Sequence, residues 1–147
     1  LIEPLRRLAA AEQSEMVVIC AQCEAELADW PAEEGMAYLR ELGVQRPGLE
    51  CLINAGYRLL DLITFFTITG GKEARAWPVR RGTTVIEAAG HIHTDMQRGF
   101  IRAEVIAYDD LVRTGSATVA REKGLLHLEG REYTVQDGDI IHIRFSV

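Results

Sequence analysis

Two histidines and an aspartate follow one another at every second position in the middle of the chain: His91, His93 and Asp95. On an extended segment, residues two apart project to the same side, so these side chains could converge on one metal ion. His-x-His is a common ligand pair, but the sequence offers no evident fourth ligand. The alternative is a loop that follows a helix, in which His93 and Asp95 bind local backbone groups, and the missing ligand favours it.

Cationic side chains are concentrated in the C-terminal part of the chain. The group comprises Lys72, Arg75, Arg80, Arg81, Arg98 and Arg102. With Trp77 and Phe100 nearby, it could form a surface that stacks on bases and binds phosphate; the alternative is a solvated face. The net charge is -6, but residues 1–61 hold eleven acids and five bases, whereas residues 62–147 hold eleven of each. Overall acidity argues against simple non-specific binding to nucleic acid, so no DNA partner is expected, and it leaves a local basic face open.

Three cysteines are present, at Cys20, Cys23 and Cys51. An odd number cannot complete a disulfide framework, which favours a reduced, cytoplasmic compartment. Cys20 and Cys23 have redox spacing and form half of a zinc knuckle, but a second ligand pair is missing. The simpler interpretation places Cys20 at the buried end of a strand.

The sequence lacks the common motifs of catalysis and of membrane insertion. It contains no G-x-x-x-x-G-K-[ST] loop, no G-x-G-x-x-G and no nucleophile elbow. Paired acids such as Asp109 and Asp110 have no base or nucleophile nearby and are assigned to the surface or to helix caps. No apolar run approaches the roughly 20 residues that cross a membrane. We therefore assign no catalytic residue and no membrane partner.

Helical spacing dominates residues 1–61, where helices are predicted over 4–11, 24–30, 31–42 and 47–60. The apolar, β-branched run at 16–20 predicts a strand buried on both faces, as in a parallel sheet. A helix followed by a buried strand is half of a βαβ unit. The missing strands, and a first residue other than Met, lead us to expect a fragment of a longer protein.

The period changes from residue 62 onward, where alternation and turn residues predict strands. Strands over 62–68 and 73–79 form a hairpin around Thr69-Gly70-Gly71, and a short helix over 83–89 ends at Gly90. Further strands are predicted over 100–106, 125–128, 133–135 and 140–147, with helices starting near 109 and 116. This order predicts an α+β fold with a β-grasp, ubiquitin-like sheet.

The chain resembles the C-terminal part of the YchF/Obg-like ATPase family of P-loop NTPases. The motifs that carry the resemblance include LITFFT at 62–67, KEARAW at 72–77, AAGHIHTD at 88–95, RGFIRAE at 98–104, EGREY at 129–133 and VQDGD at 135–139. The resemblance implies that residues 62–147 are a TGS domain, a β-grasp module. It implies that residues 1–61 are the end of the GTPase domain.

The resemblance also implies a nucleotide contact, since Cys20, Ala21 and Gln22 align with the fifth GTPase motif, usually Ser-Ala-Lys. In that family, the main chain of this motif lies against the nucleotide base. Because Cys20 replaces the serine and Gln22 replaces the lysine, any contact with the base would use the main chain. The parent protein is expected to bind ATP or GTP with Mg²⁺ mainly through upstream residues. The 147-residue chain lacks the phosphate loop and should be inactive alone.

The implied function is that of a cytoplasmic, ribosome-associated ATPase or GTPase of the translation-factor type. Its TGS half would bind the ribosome, RNA or a protein through the six cationic residues. In the alternative, the TGS half docks on its own NTPase domain and controls nucleotide access, with His93 and Asp95 as structural pins. His91 falls where the family varies, so no metal site is expected.

Overall fold

A computed structural model describes residues 2–69 and 73–146. It divides into two compact units, residues 1–60 and residues 61–147. Gly70 and Gly71 of the predicted turn, together with Lys72, lie outside the described residues. None of the helices in the described ranges is long and apolar enough to cross a membrane.

The first unit consists of helices joined by short segments. They are α1 (Ile2–Ala11), α2 (Ala21–Leu27), α3 (Ala32–Glu41) and α4 (Gly48–Leu59). Pro31 and Pro47 immediately precede α3 and α4, where a residue without an N–H costs no helical hydrogen bond. Gly43 follows α3 with a φ of 79°, a left-handed conformation that glycine adopts without strain.

The prediction of a buried strand over residues 16–20 is wrong. Residues 14–20 have no regular secondary structure, and Val18 and Ile19 are 50% and 40% exposed. A strand of a parallel sheet needs neighbours to bind its backbone groups, and the described part of this unit contains no other strand. Cys20 is accordingly exposed and not the buried end of a strand.

Helix α4 buries its small residues and exposes its large ones. Gly48 and Ala55 are buried, whereas Leu49, Leu52 and Leu59 are each more than half exposed. A Cβ on Gly48 would lie 2.5 Å from the Cγ2 atom of Ile19, so the helix start approaches that side chain closely. Large apolar side chains of α4 therefore remain largely exposed within the described residues of this unit.

The second unit contains five strands and four helices in the described residues, which confirms the α+β prediction. The strands are β1 (Leu62–Thr69), β2 (Glu73–Arg80), β3 (Phe100–Ala107), β4 (His127–Glu129) and β5 (Asp139–Phe145). The helices are α5 (Val85–Ile92), α6 (Thr94–Arg98), α7 (Tyr108–Thr114) and α8 (Ala117–Glu122). Residues 133–135, which the sequence predicts as a strand, contribute only an isolated bridge between Thr134 and Thr84.

The five strands form one mixed sheet in the order β2-β1-β5-β3-β4. Strand β5 lies at the centre, parallel to β1 and antiparallel to β3, while the edge strands β2 and β4 are antiparallel to their neighbours. One sheet face, which we call the helix face, packs Phe65, Ala103 and Ile141 against the alanines Ala88 and Ala89 of α5. We call the opposite side the outer face.

Two helices replace the loop expected around the histidines. The prediction that the first ends at Gly90 is wrong, because α5 continues to Ile92. Thr84 and Glu87 form a capping box at its start. His93 then separates α5 from α6 in an extended conformation, with φ −163° and ψ 140°.

A β-bulge at Ile101 explains the irregular alternation of β3. Phe100 pairs with Phe145 and Arg102 pairs with Arg144, so two steps on β3 match one step on β5. The extra residue turns Phe100 to the helix face, where it is 3% exposed, and leaves Ile101 60% exposed. Alternation alone would place Phe100 on the same side as Arg102.

The motifs at 129–133 and 135–139 fold into a hydrogen-bonded connection before β5. The buried carboxylate of Asp139 accepts hydrogen bonds from the Tyr133 hydroxyl and the Gln136 N–H, both at 2.8 Å. The Thr64 N–H donates to Asp137 Oδ1 at 2.8 Å, and the Gly138 N–H donates to the Thr64 carbonyl at 2.8 Å. These bonds fix the start of β5 beside β1.

Candidate nucleic-acid interface

The outer face carries an arginine cluster around one half-buried carboxylate, which we call the Glu104 cluster: Arg102, Glu104, Arg121 and Arg144. Glu104 lies on β3 with its side chain 14% exposed. It accepts from Arg144 on β5 at 3.2 Å and from Arg121 on α8 at 3.4 Å. Arg102 lies beside Arg144 through the strand register. Three arginines against one glutamate leave this patch cationic.

The carboxylate orients the two guanidinium groups that it binds. Arg121 and Arg144 expose 61% and 50% of their side chains, so each contributes donors to solvent while one edge contacts Glu104. Arginine has five N–H donors in a planar fork, and a carboxylate uses two at most in one bidentate contact. The remaining donors can bind phosphate oxygens without breaking the ion pairs.

A groove of about 340 Å³ adjoins the Glu104 cluster. Its apolar lining includes Ile106 and Ile140 of the sheet and Leu111 of α7, and its polar lining includes Arg121 and Arg144. An apolar floor beside exposed guanidinium groups suits a ligand with a flat apolar part and an anionic part, as in a nucleotide.

The six cationic residues predicted from the sequence do not share one surface. Lys72 lies outside the described residues, and Arg75 follows the helix-face side of β2, where its Nε donates to Glu73 at 2.7 Å. Arg80 points to the other side of β2, and Arg81 pairs with Asp61 at 3.4 Å. Arg98 ends α6, whereas Arg102 lies on the outer face of β3.

Strand spacing separates the cationic residues further. Strands β2 and β3 are three strand spacings apart, on the order of 14 Å. Arg102 is therefore brought together with Arg121 and Arg144 and not with the arginines of β2.

The aromatic residues considered for base stacking are engaged elsewhere. Phe100 is buried in the core at 3% exposure, so it cannot stack on a base, and this part of the prediction is wrong. Trp77 packs against Phe65 with ring centroids 6.4 Å apart, and its Nε1 donates to Thr67 Oγ1 at 3.0 Å.

His93 and Asp95 form a local capping arrangement. The Asp95 N–H donates to His93 Nδ1 at 3.1 Å, and Asp95 Oδ1 accepts from Arg98 at 3.1 Å. His91 belongs to the last turn of α5. Among the described residues, no group of three His, Cys, Asp or Glu side chains is arranged to hold a metal ion. The role of His93 and Asp95 as structural pins stays a prediction.

Residues 20–22 lie at the start of α2 in the first unit. Cys20 precedes the helix, and its sulfur accepts from the Cys23 N–H at 3.4 Å. Gln22 Nε2 donates to Glu26 Oε1 at 2.9 Å. The Cys20 sulfur and the Gln22 amide nitrogen therefore have local hydrogen-bond partners, and the contact of residues 20–22 with a nucleotide base through the main chain stays a prediction.

The chain does not provide the binding groups that ATP or GTP with Mg²⁺ requires. The sequence has no phosphate loop, and residues 2–69 and 73–146 hold no cluster of carboxylates that could bind a cation. Main-chain atoms of 20–22 could touch a base, but the sequence supplies no phosphate loop to hold its phosphates. We derive no hydrolytic step from this chain.

Arg121 and Arg144 are functional candidates that the sequence analysis missed. Alternation along residues 140–145 separates Ile141 and Ile143 from His142 and Arg144, and this signal could have placed Arg144 beside Arg102. Arg121 gave no comparable signal, because only the folding of α8 over the outer face brings it to Glu104.

Comparison with known proteins identifies a family that this chain matches. Residues 62–146 match YchF-GTPase_C, described as a protein of unknown function (DUF933). A protein of Bacillus subtilis named ribosome-binding ATPase YchF is 49% identical over 99% of this chain, and its counterpart in Haemophilus ducreyi is 50% identical over the same share. The chain spans 40% of the length of each relative.

Solved structures show the same arrangement of the backbone. The YchF GTPase of Schizosaccharomyces pombe matches 97% of this chain and 38% of its own chain with a TM-score of 0.86 and 29% identity. A GTP-binding protein from Pyrococcus horikoshii matches 98% of this chain and 42% of its own with a TM-score of 0.66 and 21% identity, which shows the shared fold alone.

Proposed function

Because the chain belongs to the YchF-GTPase_C family and corresponds to the C-terminal part of YchF, we propose that it is the ribosome-binding end of a nucleotide-hydrolysing protein. Relatives that are 49% and 50% identical are named ribosome-binding ATPases. In this proposal, the second unit is a TGS domain of the β-grasp type that contacts ribosomal RNA. The parent protein is cytoplasmic and uses ATP or GTP with Mg²⁺, held by the part of the relatives that this chain does not span.

The first unit is proposed to be the end of a P-loop NTPase domain. Its exposed apolar side chains support this assignment, since Leu49 is 62% exposed and Leu59 is 80% exposed. In a complete α/β domain, such a helix face packs against a sheet. Residues 20–22 would then approach the base of the nucleotide through their main chain.

The observation that carries the RNA proposal is the Glu104 cluster. Arg102, Arg121 and Arg144 come from three different elements and converge on one face of the sheet. Glu104 anchors Arg121 and Arg144, and Arg102 lies beside Arg144 through the strand register. Arginines that serve only solubility need no such anchor, whereas phosphate contacts gain affinity from guanidinium groups whose orientation is fixed.

The test is co-sedimentation of the chain with ribosomes across a series of salt concentrations. The double variant Arg102→Glu/Arg144→Glu should bind more weakly and with a shallower salt dependence, by about one unit of slope for each phosphate that it no longer binds. The matched control is Arg6→Glu/Arg40→Glu, which makes the same change in net charge on exposed positions of the first unit. Equal binding by the two double variants would contradict the proposal.

The intramolecular alternative makes a different prediction for the same surface. If the second unit only controls nucleotide access, the Arg102→Glu/Arg144→Glu substitution in the parent protein should change ATP turnover without ribosomes and leave ribosome binding unchanged.

A further inference from the structure

We propose that Cys20 and Cys23 form a thiol–disulfide switch that disulfides of low-molecular-weight thiols, such as oxidised glutathione, can close. The site is separate from the Glu104 cluster and does not depend on RNA binding. It uses the side chains of two cysteines, Cys20 and Cys23, to which the proposed function gives no role.

The two thiols are paired and accessible. Cys20 is exposed, Cys23 is half-buried, and the Cys23 N–H donates to Cys20 Sγ at 3.4 Å. Positions three apart at a helix start bring Cβ atoms to about 5–6 Å, and a disulfide needs about 3.5–4.5 Å. Cys20 lies just outside α2, with φ −92° and ψ 89°, so it can close this gap without breaking a helical turn.

The pair is asymmetric in a way that assigns each sulfur a role. A hydrogen bond from the Cys23 side chain lowers the pKa of Cys20, and the same interaction raises the pKa of Cys23. The thiolate is the attacking species in disulfide exchange. Cys20, which is also the more exposed residue, is therefore the attacking sulfur, and Cys23 is the resolving sulfur.

The reaction has two exchange steps. The Cys20 thiolate attacks one sulfur of oxidised glutathione, forming a mixed disulfide and releasing one glutathione thiolate. Cys23 then loses its proton and attacks the Cys20 sulfur, which forms the Cys20–Cys23 disulfide and releases the second glutathione. In sum, two protein thiols are oxidised, one glutathione disulfide is reduced to two glutathione thiols, and no other oxidant is needed.

Closing the disulfide would fix the segment between the two sulfurs. Ala21 and Gln22 lie in this segment, and the proposed function places their main chain near the nucleotide base. This consequence rests on the proposed function, whereas formation of the disulfide does not, and equilibration with glutathione measures the disulfide alone.

The test is mass spectrometry of the 147-residue chain equilibrated in buffers with increasing ratios of oxidised to reduced glutathione. Free thiols are blocked with N-ethylmaleimide, and the chain is cut with trypsin. Cys20 and Cys23 fall in the peptide 8–40, and Cys51 falls in the peptide 41–58, because the Arg46–Pro47 bond resists trypsin. The two peptides therefore report the proposed pair and the third cysteine separately.

We expect peptide 8–40 to convert to the internal Cys20–Cys23 disulfide, which carries no maleimide and has a mass two hydrogens below that of the reduced peptide. Cys51→Ser should form it to the same extent within about twofold, since Cys51 takes no part. Cys23→Ser should instead accumulate the Cys20–glutathione mixed disulfide, at least about tenfold above the unmodified chain, because the intramolecular second step is lost. Brief alkylation of the reduced chain should label Cys20 before Cys23.

Two results would overturn the proposal. One is a peptide 8–40 that keeps two maleimides in buffers where Cys51 is already glutathionylated. The other is a disulfide that joins peptide 8–40 to peptide 41–58 in place of the internal one. Neither measurement depends on the folding of a variant, because both are made on the unmodified chain.

Discussion

The hydrogen bond from Tyr133 to Asp139 gives a stability prediction with a defined pH dependence. Asp139 is 4% exposed, and its carboxylate has two donors, the Tyr133 hydroxyl and the Gln136 N–H, each at 2.8 Å. Tyr133→Phe removes one of the two and leaves the ring in place. Loss of a hydrogen bond to a buried charged group costs about 1.5–3 kcal/mol, so we expect the free energy of unfolding near pH 7 to fall by that amount.

The sign of the pH dependence follows from the two pKa shifts. Burial raises the pKa of Asp139, while its hydrogen bonds from Gln136 and Tyr133 oppose that rise. Burial and the bond to Asp139 raise the pKa of Tyr133, so the phenol remains a donor throughout the range. The charge-assisted bond is complete above the folded pKa of Asp139 and is lost as pH falls through it. The penalty of Tyr133→Phe should therefore shrink in acid to about 0.5–1.5 kcal/mol, as for a neutral bond.

Urea unfolding followed by Trp77 fluorescence measures this change in the second unit. All variants would carry Trp30→Phe, so that Trp77 is the one remaining tryptophan. Tyr108→Phe is the matched control, because Tyr108 is 53% exposed and its ring contact with Phe66 needs no hydroxyl. It should change stability by less than about 0.5 kcal/mol. A penalty for Tyr133→Phe that is as small as the control's, or that grows as pH falls, would refute the reasoning.

Three further substitutions test other contacts. Gly99→Ala should lower the free energy of unfolding of the second unit by about 1–3 kcal/mol, because the added Cβ would lie 2.0 Å from the Ser146 carbonyl oxygen. Gly130→Ala is the control in the same urea assay and should be close to neutral, because its Cβ would have no atom within 4 Å. Thr84→Ala should cost about 1 kcal/mol by removing the capping box of α5. Hydrogen bonds from Thr84 lower the pKa of Glu87, so they stabilise the fold only while the Glu87 carboxylate is charged. The part of the stability loss that comes from the Thr84–Glu87 bond should therefore be present at neutral pH and disappear as pH falls through the pKa of Glu87 in the folded protein. Gly48→Ala should destabilise the first unit, because the added Cβ would crowd Ile19 and the 2.6 Å bond from the Gly48 N–H to Glu24. Gly56→Ala should instead stabilise α4 by up to about 1 kcal/mol. Thermal melts of chains that carry Trp77→Phe in place of Trp30→Phe, followed by Trp30 fluorescence, measure whether the two melting temperatures shift in opposite directions.

Local patterns predicted the helices and most strands because each is encoded within a few residues. The proline starts of α3 and α4, the glycine after α3 and the alternation of β1 and β2 all have short-range causes. The strand at residues 16–20 failed for the opposite reason. Its composition is that of a parallel strand, but a strand exists only where neighbours bind its backbone, and no pattern within the run reports whether they are present.

The candidate site was harder to predict because it depends on the register between distant segments. Arg102 was identified from its strand, but its partners Arg121 and Arg144 reach it only after α8 folds over the outer face and β5 pairs with β3. The bulge at Ile101 likewise reverses the side on which Phe100 lies, so a residue chosen for base stacking became part of the core. One inserted residue is enough to do this, because side chains alternate with a period of two.

The central position of β5 has a consequence for how the second unit folds during synthesis. Among the described strands of this unit, β5 leaves the ribosome last, and it lies between β1, which leaves first, and β3. The hairpin of β1 and β2 therefore has no sheet of this unit to join until residues 139–145 have emerged. The pairing of Phe66 with Ile140 closes a loop of more than seventy residues, and such long-range contacts slow folding. Until then, the inner edge of β1 exposes unpaired backbone groups, which makes the nascent unit open to pairing with other chains.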